Sequence, residues 1–247
     1  VLELEVTPNR SDLLSHEGMA REVAALTGQR WRPVHAFQSE SAVGTAPAVE
    51  FAGCPFYTVR HFGSVRVGAS PDWMRQRLEA IGLRSINNVV DVTNWVLMET
   101  GQPLHAFDTD KLRGALRVRW AAEGEVLAAL DGKVYKLGTQ DLVIADDSTQ
   151  RVTLESAVFE TRVIRRTSRV LGLSSDSSYR FERGVDVAGV LRGSQRAAQL
   201  LSELAGAVPL SLQTSEGNPA VDSGALLEGL TPVQHVRLRP DRITGLL

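Results

Sequence analysis

Cysteine is almost missing from this chain: Cys54 is the single one in 247 residues. One thiol excludes a disulfide framework and any cysteine-rich zinc site. Lysine is nearly as scarce, confined to Lys111, Lys133 and Lys136, so 24 of the 27 basic residues are arginines (27 − 3). An excess of either sign is also lacking, because 27 basic residues face 29 acidic ones for a net charge of −2. That balance argues against a protein that grips a nucleic-acid backbone by bulk electrostatics. No apolar run is long enough to span a bilayer, and no cleavable leader opens the chain. A reducing, cytoplasmic setting is the expectation.

Several chemical signatures are absent too. The histidines (16, 35, 61, 105 and 235) show no His-x-x-x-His spacing and have no cysteine partner. There is no phosphate loop of the Gly-x-x-x-x-Gly-Lys type, no Gly-x-Gly-x-x-Gly and no nucleophile elbow. ATP or dinucleotide chemistry inside this stretch is therefore not expected.

What is present is a chain long enough for one large domain or two small ones. It starts at Val1 inside an alternating run and ends at Leu247 as a new pattern begins, which reads as a piece cut from a longer polypeptide. The spacing of Leu13, Met19, Ala20, Val23 and Leu26 predicts a helix over about 12–27, stopped by Gly28. Residues 29–50 read as a linker. Phe56–Phe62, continued by Val65 and Val67, predicts a strand pair. Ser70-Pro-Asp-Trp73 predicts a helix start with Ser70 as cap; Trp73, Leu78 and Ile81 are expected to line that helix and Gly82 to stop it. A second helix is expected over Asn88–Glu99. Short strands follow at 116–120, 125–130, 134–137, 142–145 and 152–156, with Asp131-Gly132 as a hairpin turn. Helices are expected at 161–171 and 187–204. Strands and helices do not alternate regularly, so the expected class is α+β, a mostly antiparallel or mixed β-core flanked by four or five helices.

The remaining signal lies in dense polar stretches. Arg84-Ser-Ile-Asn-Asn-Val-Val-Asp-Val-Thr-Asn94 suits helix capping by Asn87 or Asn88, which leaves Arg84 unexplained. His105, inside Gln102-Pro-Leu-His-Ala-Phe-Asp108, suits either packing or chemistry. Glu155, in a small apolar strand end, either faces water or is buried with a hydrogen-bonded role. Ser174–Ser178 suits a loop and cap, and Arg180, Glu182, Arg183 and Asp186 suit a salt-bridged corner.

Taken in order, Thr7-Pro-Asn-Arg-Ser-Asp12, Arg84–Asn94, Gln102–Asp108, Leu154-Glu-Ser156 and Tyr179-Arg-Phe-Glu-Arg-Gly-Val-Asp186 resemble the beta subunit of bacterial phenylalanyl-tRNA synthetases. The resemblance covers nearly the whole chain. It implies a preceding-module remnant at 1–50, a tRNA-editing domain at 51–217, and a linker with the start of a following module at 218–247. It also implies hydrolysis of mischarged tyrosyl-tRNA(Phe). Under that resemblance His105 and Arg84 line the reacting end, while Glu155, Ser175, Ser177 and Asn88 hold the substrate. The implied partners are an alpha subunit, in a heterotetramer of two alpha and two beta chains, and the acceptor end of tRNA(Phe). ATP and Mg2+ would serve the whole enzyme and neither would serve this fragment. Two departures stand out. Ser177 replaces an alanine of the family, and Asp146–Arg151 joins two strands where the family has a glycine-rich stretch. An editing-defective scaffold is the alternative that the second departure raises.

Overall fold

The computed structural model describes residues 4–33, 42–43, 48–49, 53–109, 113–128, 133–148 and 152–215. The expected hairpin turn at Asp131-Gly132, and the expected boundary at 217, lie outside the described residues. The first segment holds a 3-10 turn, Ser11–Leu13, and helix α1 (His16–Thr27). The predicted helix thus starts later than its apolar spacing suggests. Ser15 is the reason, because its hydroxyl accepts the Gly18 N–H and caps α1.

Ten short strands and five more helices follow. They are β1 (Ala42–Val43), β2 (Ala48–Val49), β3 (Phe56–Gly63), α2 (Asp72–Ala80), α3 (Asn88–Thr100), β4 (Leu104–Asp108) and β5 (Arg113–Trp120). Next come β6 (Val126–Ala128), β7 (Val134–Lys136), β8 (Leu142–Ser148), β9 (Val152–Val158), α4 (Thr161–Leu171), α5 (Asp176–Phe181), α6 (Val187–Ala205) and β10 (Val208–Ser215). The main sheet has the order β1-β10-β3-β9-β4, antiparallel except for β1 against β10. A second sheet, β2-β5-β8, and the β6–β7 hairpin complete the mixed α+β architecture.

Alternation along the main sheet divides it into two buried faces. Phe62, Leu104 and Leu154 pack under Met74 and Leu78 of α2, Val92 and Val96 of α3, and Leu201 of α6. Tyr57, Val59 and Ala157 point the other way, to Leu116 and Val118 of β5 and to Phe159 and Phe181. The result is three layers: helices, main sheet, and second sheet with α4. Each fully buried large side chain contributes roughly 1.5–3 kcal/mol, so both faces hold the sheet in place.

Three local expectations are corrected. Val65 and Val67 form no strand; the partners of β3 are β9 and β10, remote in sequence. Ser70 does not cap α2, because its hydroxyl donates to the buried Asp91 carboxylate at 2.5 Å, and Pro71 occupies the cap position. Trp73 and Ile81, expected to line α2, are each 39% exposed, while Met74 and Leu78 make its inner face. Gly28, Gly101, Gly172 and Gly206 all end helices in the left-handed region, where a side chain would be strained.

Candidate active site

The register of β4 against β9 sets His105 directly opposite Glu155. Opposed residues share a sheet face, and this face is the one that meets the second sheet. Val59 lies on the other side of Glu155, and Tyr57 opposite Ala157. Glu155 is therefore a buried acid in a layer it shares with the apolar Val59 and Ala157, with 1% of its surface exposed.

Its carboxylate has little to hold it. Among the described residues Glu155 Oε2 has no hydrogen-bond partner, and His105 Nδ1 stands 3.9 Å away, too far for a direct one. Burial disfavours the charged form and pushes the Glu155 carboxyl up to about 8. At neutral pH it is mostly a neutral acid. The Tyr57 hydroxyl, also fully buried, has no partner among the described residues. Burial first, and then the Glu155 charge, raise both the Tyr57 phenol and the Cys54 thiol above their ordinary ranges. Neither group ionises near neutrality.

Beside it, and reached through His105, opens a pocket of about 240 Å³ whose lining does not include Glu155. His105 forms one wall and Leu142, Ile144, Phe159, Ile164 and Phe181 supply its apolar lining. Ser175 and Ser177 belong to its rim, beside Ser178, Thr167 and Ser168. Most rim hydroxyls are committed. Thr167 donates to Asp141, Ser168 to the Leu173 carbonyl, and Ser175 accepts from the Ser178 N–H to cap α5. Ser177 Oγ has no partner among the described residues. Burial lowers the His105 pKa, and the 45% of its side chain that still meets solvent limits that effect. A neutral imidazole offers one acceptor nitrogen to a water or a hydroxyl.

The structure brings His105, Ser175 and Ser177 to one pocket, sets Glu155 beside His105 just outside its lining, and places Arg84 and Asn88 elsewhere. Asn88 is buried, its Oδ1 accepting the Gly68 N–H and its Nδ2 donating to the Arg66 and Leu204 carbonyls. Asn87, its neighbour, is the α3 cap, accepting from Val89 and Val90. Arg84 is exposed in the α2–α3 connection and lines no pocket with His105. The expected salt-bridged corner is present in part: Arg180 pairs with Asp176 at 3.0 Å and Arg183 with Glu182 at 2.5 Å, while Asp186 caps α6. Arg180 also donates to the Leu14 carbonyl, tying the corner to the α1 segment. Sequence reasoning missed Tyr57, Phe159 and Phe181 as site residues. Alternation along β3 was the available signal for Tyr57, since it shares a face with Val59.

A family model described as the B3/4 domain matches residues 53–148 and 146–206. The chain belongs to the B3/4 domain family. Among curated relatives, the phenylalanine–tRNA ligase beta subunit of Geobacter sulfurreducens is 44% identical over 274 residues, covering 100% of this chain and 33% of the relative. That of Syntrophus aciditrophicus is 46% identical over 231 residues, covering 83% of this chain and 29% of the relative. The chain spans about a third of the length of these relatives. A solved N-terminal fragment of the Pyrococcus horikoshii phenylalanyl-tRNA synthetase beta subunit matches 83% of this chain and 60% of that one, at 14% identity and a TM-score of 0.40. The Geobacter alignment runs over 274 positions for 247 residues, which leaves at least 27 positions without a counterpart here (274 − 247). The two pieces of the domain match meet at 146–148, where β8 gives way to β9. Among the described residues no three His, Cys, Asp or Glu side chains cluster to hold a metal ion, and no helix is long and apolar enough to cross a membrane.

Proposed function

We propose that this chain is the editing region of a phenylalanine–tRNA ligase beta subunit and hydrolyses tyrosyl-tRNA(Phe). The observation that carries the reading is the buried Glu155 carboxyl, its unpartnered Oε2 3.9 Å from the Nδ1 of His105, which walls an apolar, aromatic-lined pocket. Tyrosine exceeds phenylalanine by one hydroxyl, which a synthetic site built of apolar groups rejects poorly. A second pocket must reward that hydroxyl. Glu155 Oε2 can accept the phenol O–H, whereas a phenylalanine ring leaves it unpaired at a cost of roughly 1–3 kcal/mol.

The ester of an aminoacyl-tRNA is already activated, so positioning carries much of the rate. Neutral His105 at the pocket wall orients water or the terminal ribose through its acceptor nitrogen. Ser177, with its free hydroxyl, addresses the amino acid from the rim. Arg84 and Asn88 act at a distance, Asn88 by pinning the start of α3 and Arg84 from the exposed loop before it. The hydrolysis needs no cofactor; ATP and Mg2+ serve the synthetic site on an alpha subunit, in a cytoplasmic assembly of two alpha and two beta chains. The test is deacylation of labelled tyrosyl-tRNA(Phe) beside phenylalanyl-tRNA(Phe). The tyrosyl ester should be cleaved preferentially, and Glu155→Ala should erase the preference. Equal decay of both esters with and without protein overturns the reading. The 27 or more positions of the Geobacter relative that have no counterpart in this chain favour a second reading, a scaffold without hydrolytic activity, which that null result would select.

A further inference from the structure

The neutral overall charge hides one strongly polarised helix. Between Glu160 and Asp176 the sequence carries four arginines (Arg162, Arg165, Arg166 and Arg169) and no acidic residue. All four fall in α4. At 100° per residue they share an arc of about 100°, and from Arg162 to Arg169 they run along about 10 Å of the axis. The opposite side of α4 is fixed inward. Ile164, Thr167, Ser168 and Leu171 line the pocket, Val163 and Ile164 pack against the second sheet's core, and Thr167 donates to Asp141 at 3.0 Å. The helix cannot turn without breaking that seam, so the arginines are held outward.

They are also uncommitted. Arg162, Arg166 and Arg169 are exposed and have neither ion pair nor hydrogen bond among the described residues. Arg165 gives one N–H to the Glu182 carbonyl at 2.8 Å. Several other arginines on the described surface are paired with carboxylates: Arg10 with Asp12 and Glu22, Arg75 with Asp72, Arg119 with Glu125 and Arg196 with Glu99. Arg30, Arg66 and Arg84 are exposed without an ion pair among the described residues, but they form no stripe along one helix. A solvated helix face normally mixes both signs; this one does not. Its exposed apolar surface is confined to Val170 at 66%, too little for insertion into a lipid surface.

We infer that the arginine face of α4 is the phosphate-binding surface for the single-stranded end of an RNA whose terminal residue enters the pocket on the helix's other side. Guanidinium groups bind phosphate oxygens bidentately and stack on bases, which fits arginine in preference to lysine here. A strand with one phosphate every ~3.4 Å sets about three of them along the 10 Å stripe. At its C-terminal end α4 runs through Gly172 into Leu173–Ser177, the pocket rim, so a strand crossing the helix end reaches the cavity directly. The inference rests on the ester-hydrolysis reading for what the strand carries, but its binding step needs no ester.

The experiment titrates the chain with an RNA hairpin that carries no amino acid and ends in a four-nucleotide 3′ overhang, read by fluorescence anisotropy at several salt concentrations. The triple variant R162E/R166E/R169E should bind at least about tenfold more weakly. The slope of log affinity against log salt should flatten by about 2, since each lost single-strand phosphate contact removes ~0.7. An Arg-to-Gln triple, with the melting curve of the parent, should show the smaller loss expected of neutralisation. Arg30→Glu, exposed beyond α1, should leave both readouts unchanged. With aminoacylated RNA the triple should raise KM and spare kcat. Equal binding and slope in parent and triple, or no binding by the parent, overturns the inference. Salt-dependent binding through α4 with no ester cleavage leaves it standing and removes the hydrolytic reading instead.

Discussion

On the helix-facing side of the main sheet, Arg60 Nε donates to Ser194 Oγ at 3.3 Å, Thr58 donates to the Ser156 carbonyl, and Ser156 donates to the Val190 carbonyl. On the opposite side, one residue away along the same strands, Glu155 and Tyr57 make no hydrogen bond among the described residues. All six side chains are essentially without solvent contact. An unpaired buried polar group costs roughly 1–3 kcal/mol, so packing alone would have selected against the second set. The polar groups of the helix side staple α6 to the sheet. The difference is one of degree, since Arg60 bonds through Nε with Nη2 left unsatisfied among the described residues, and Thr153 of the pocket side bonds His61 and Thr109. Glu155 and Tyr57 stand apart because their side chains make no hydrogen bond at all among those residues, as a site for a ligand requires.

The sharpest way to break this contrast is pH. Glu155 holds its proton to about 8 in the fold, against 4.5 for the free side chain. A carboxyl raised by folding contributes its stability in full below the unfolded value and loses it as pH rises through the folded one. At 1.36 kcal/mol for each pH unit between those two values, the rise sets an upper scale of about 5 kcal/mol. Denaturant unfolding between pH 5 and 9 should show the parent losing stability across that window. Glu155→Gln should abolish most of the slope. Matching slopes would mean that Glu155 is not the buried acid the geometry describes.

How far this was readable beforehand depends on range. Helix ends were legible wherever glycine enforces a left-handed residue (28, 101, 172 and 206) or Asn87 supplies a cap, because those demands are local. Strands β4 and β10 were not: their partners lie about fifty and a hundred and fifty residues away, and neither shows clean alternation. The pairing of His105 with Glu155 is a register fact of that kind, and it was the family resemblance, not spacing, that linked them. Arg84 and Asn88 fell outside the pocket because the α2–α3 connection answers to Asp91, which accepts from Ser70, Ser85 and the Ile86 N–H, and to Asn88, which bonds three backbone groups.

On the helix side the corresponding test is Arg60→Ala. Arg60 has no exposed surface, and burial lowers its pKa to about 10. Truncation removes the Ser194 contact and leaves a void between β3 and α6, for a loss of about 3 kcal/mol in thermal or denaturant unfolding. Preference between tyrosyl and phenylalanyl esters should survive, since the change lies on the other face. If selectivity falls together with stability, the two faces are coupled and the contrast between staple and site fails.

The smallest effect separates two serines of one pocket rim. Ser175 Oγ accepts the Ser178 N–H while Ser178 Oγ accepts the Ser175 N–H, a reciprocal cap on α5. Ser175→Ala should cost about 1 kcal/mol and disturb the rim through the helix it starts. Ser177, two residues on, has no such duty, so Ser177→Ala should stay within about 0.5 kcal/mol of the parent. Its consequence belongs to the ligand: with the free hydroxyl gone, KM for the tyrosyl ester should change while melting does not. Should Ser177→Ala instead destabilise the fold as Ser175→Ala does, its hydroxyl is structural, and the open valences of this side shrink to Glu155 and Tyr57.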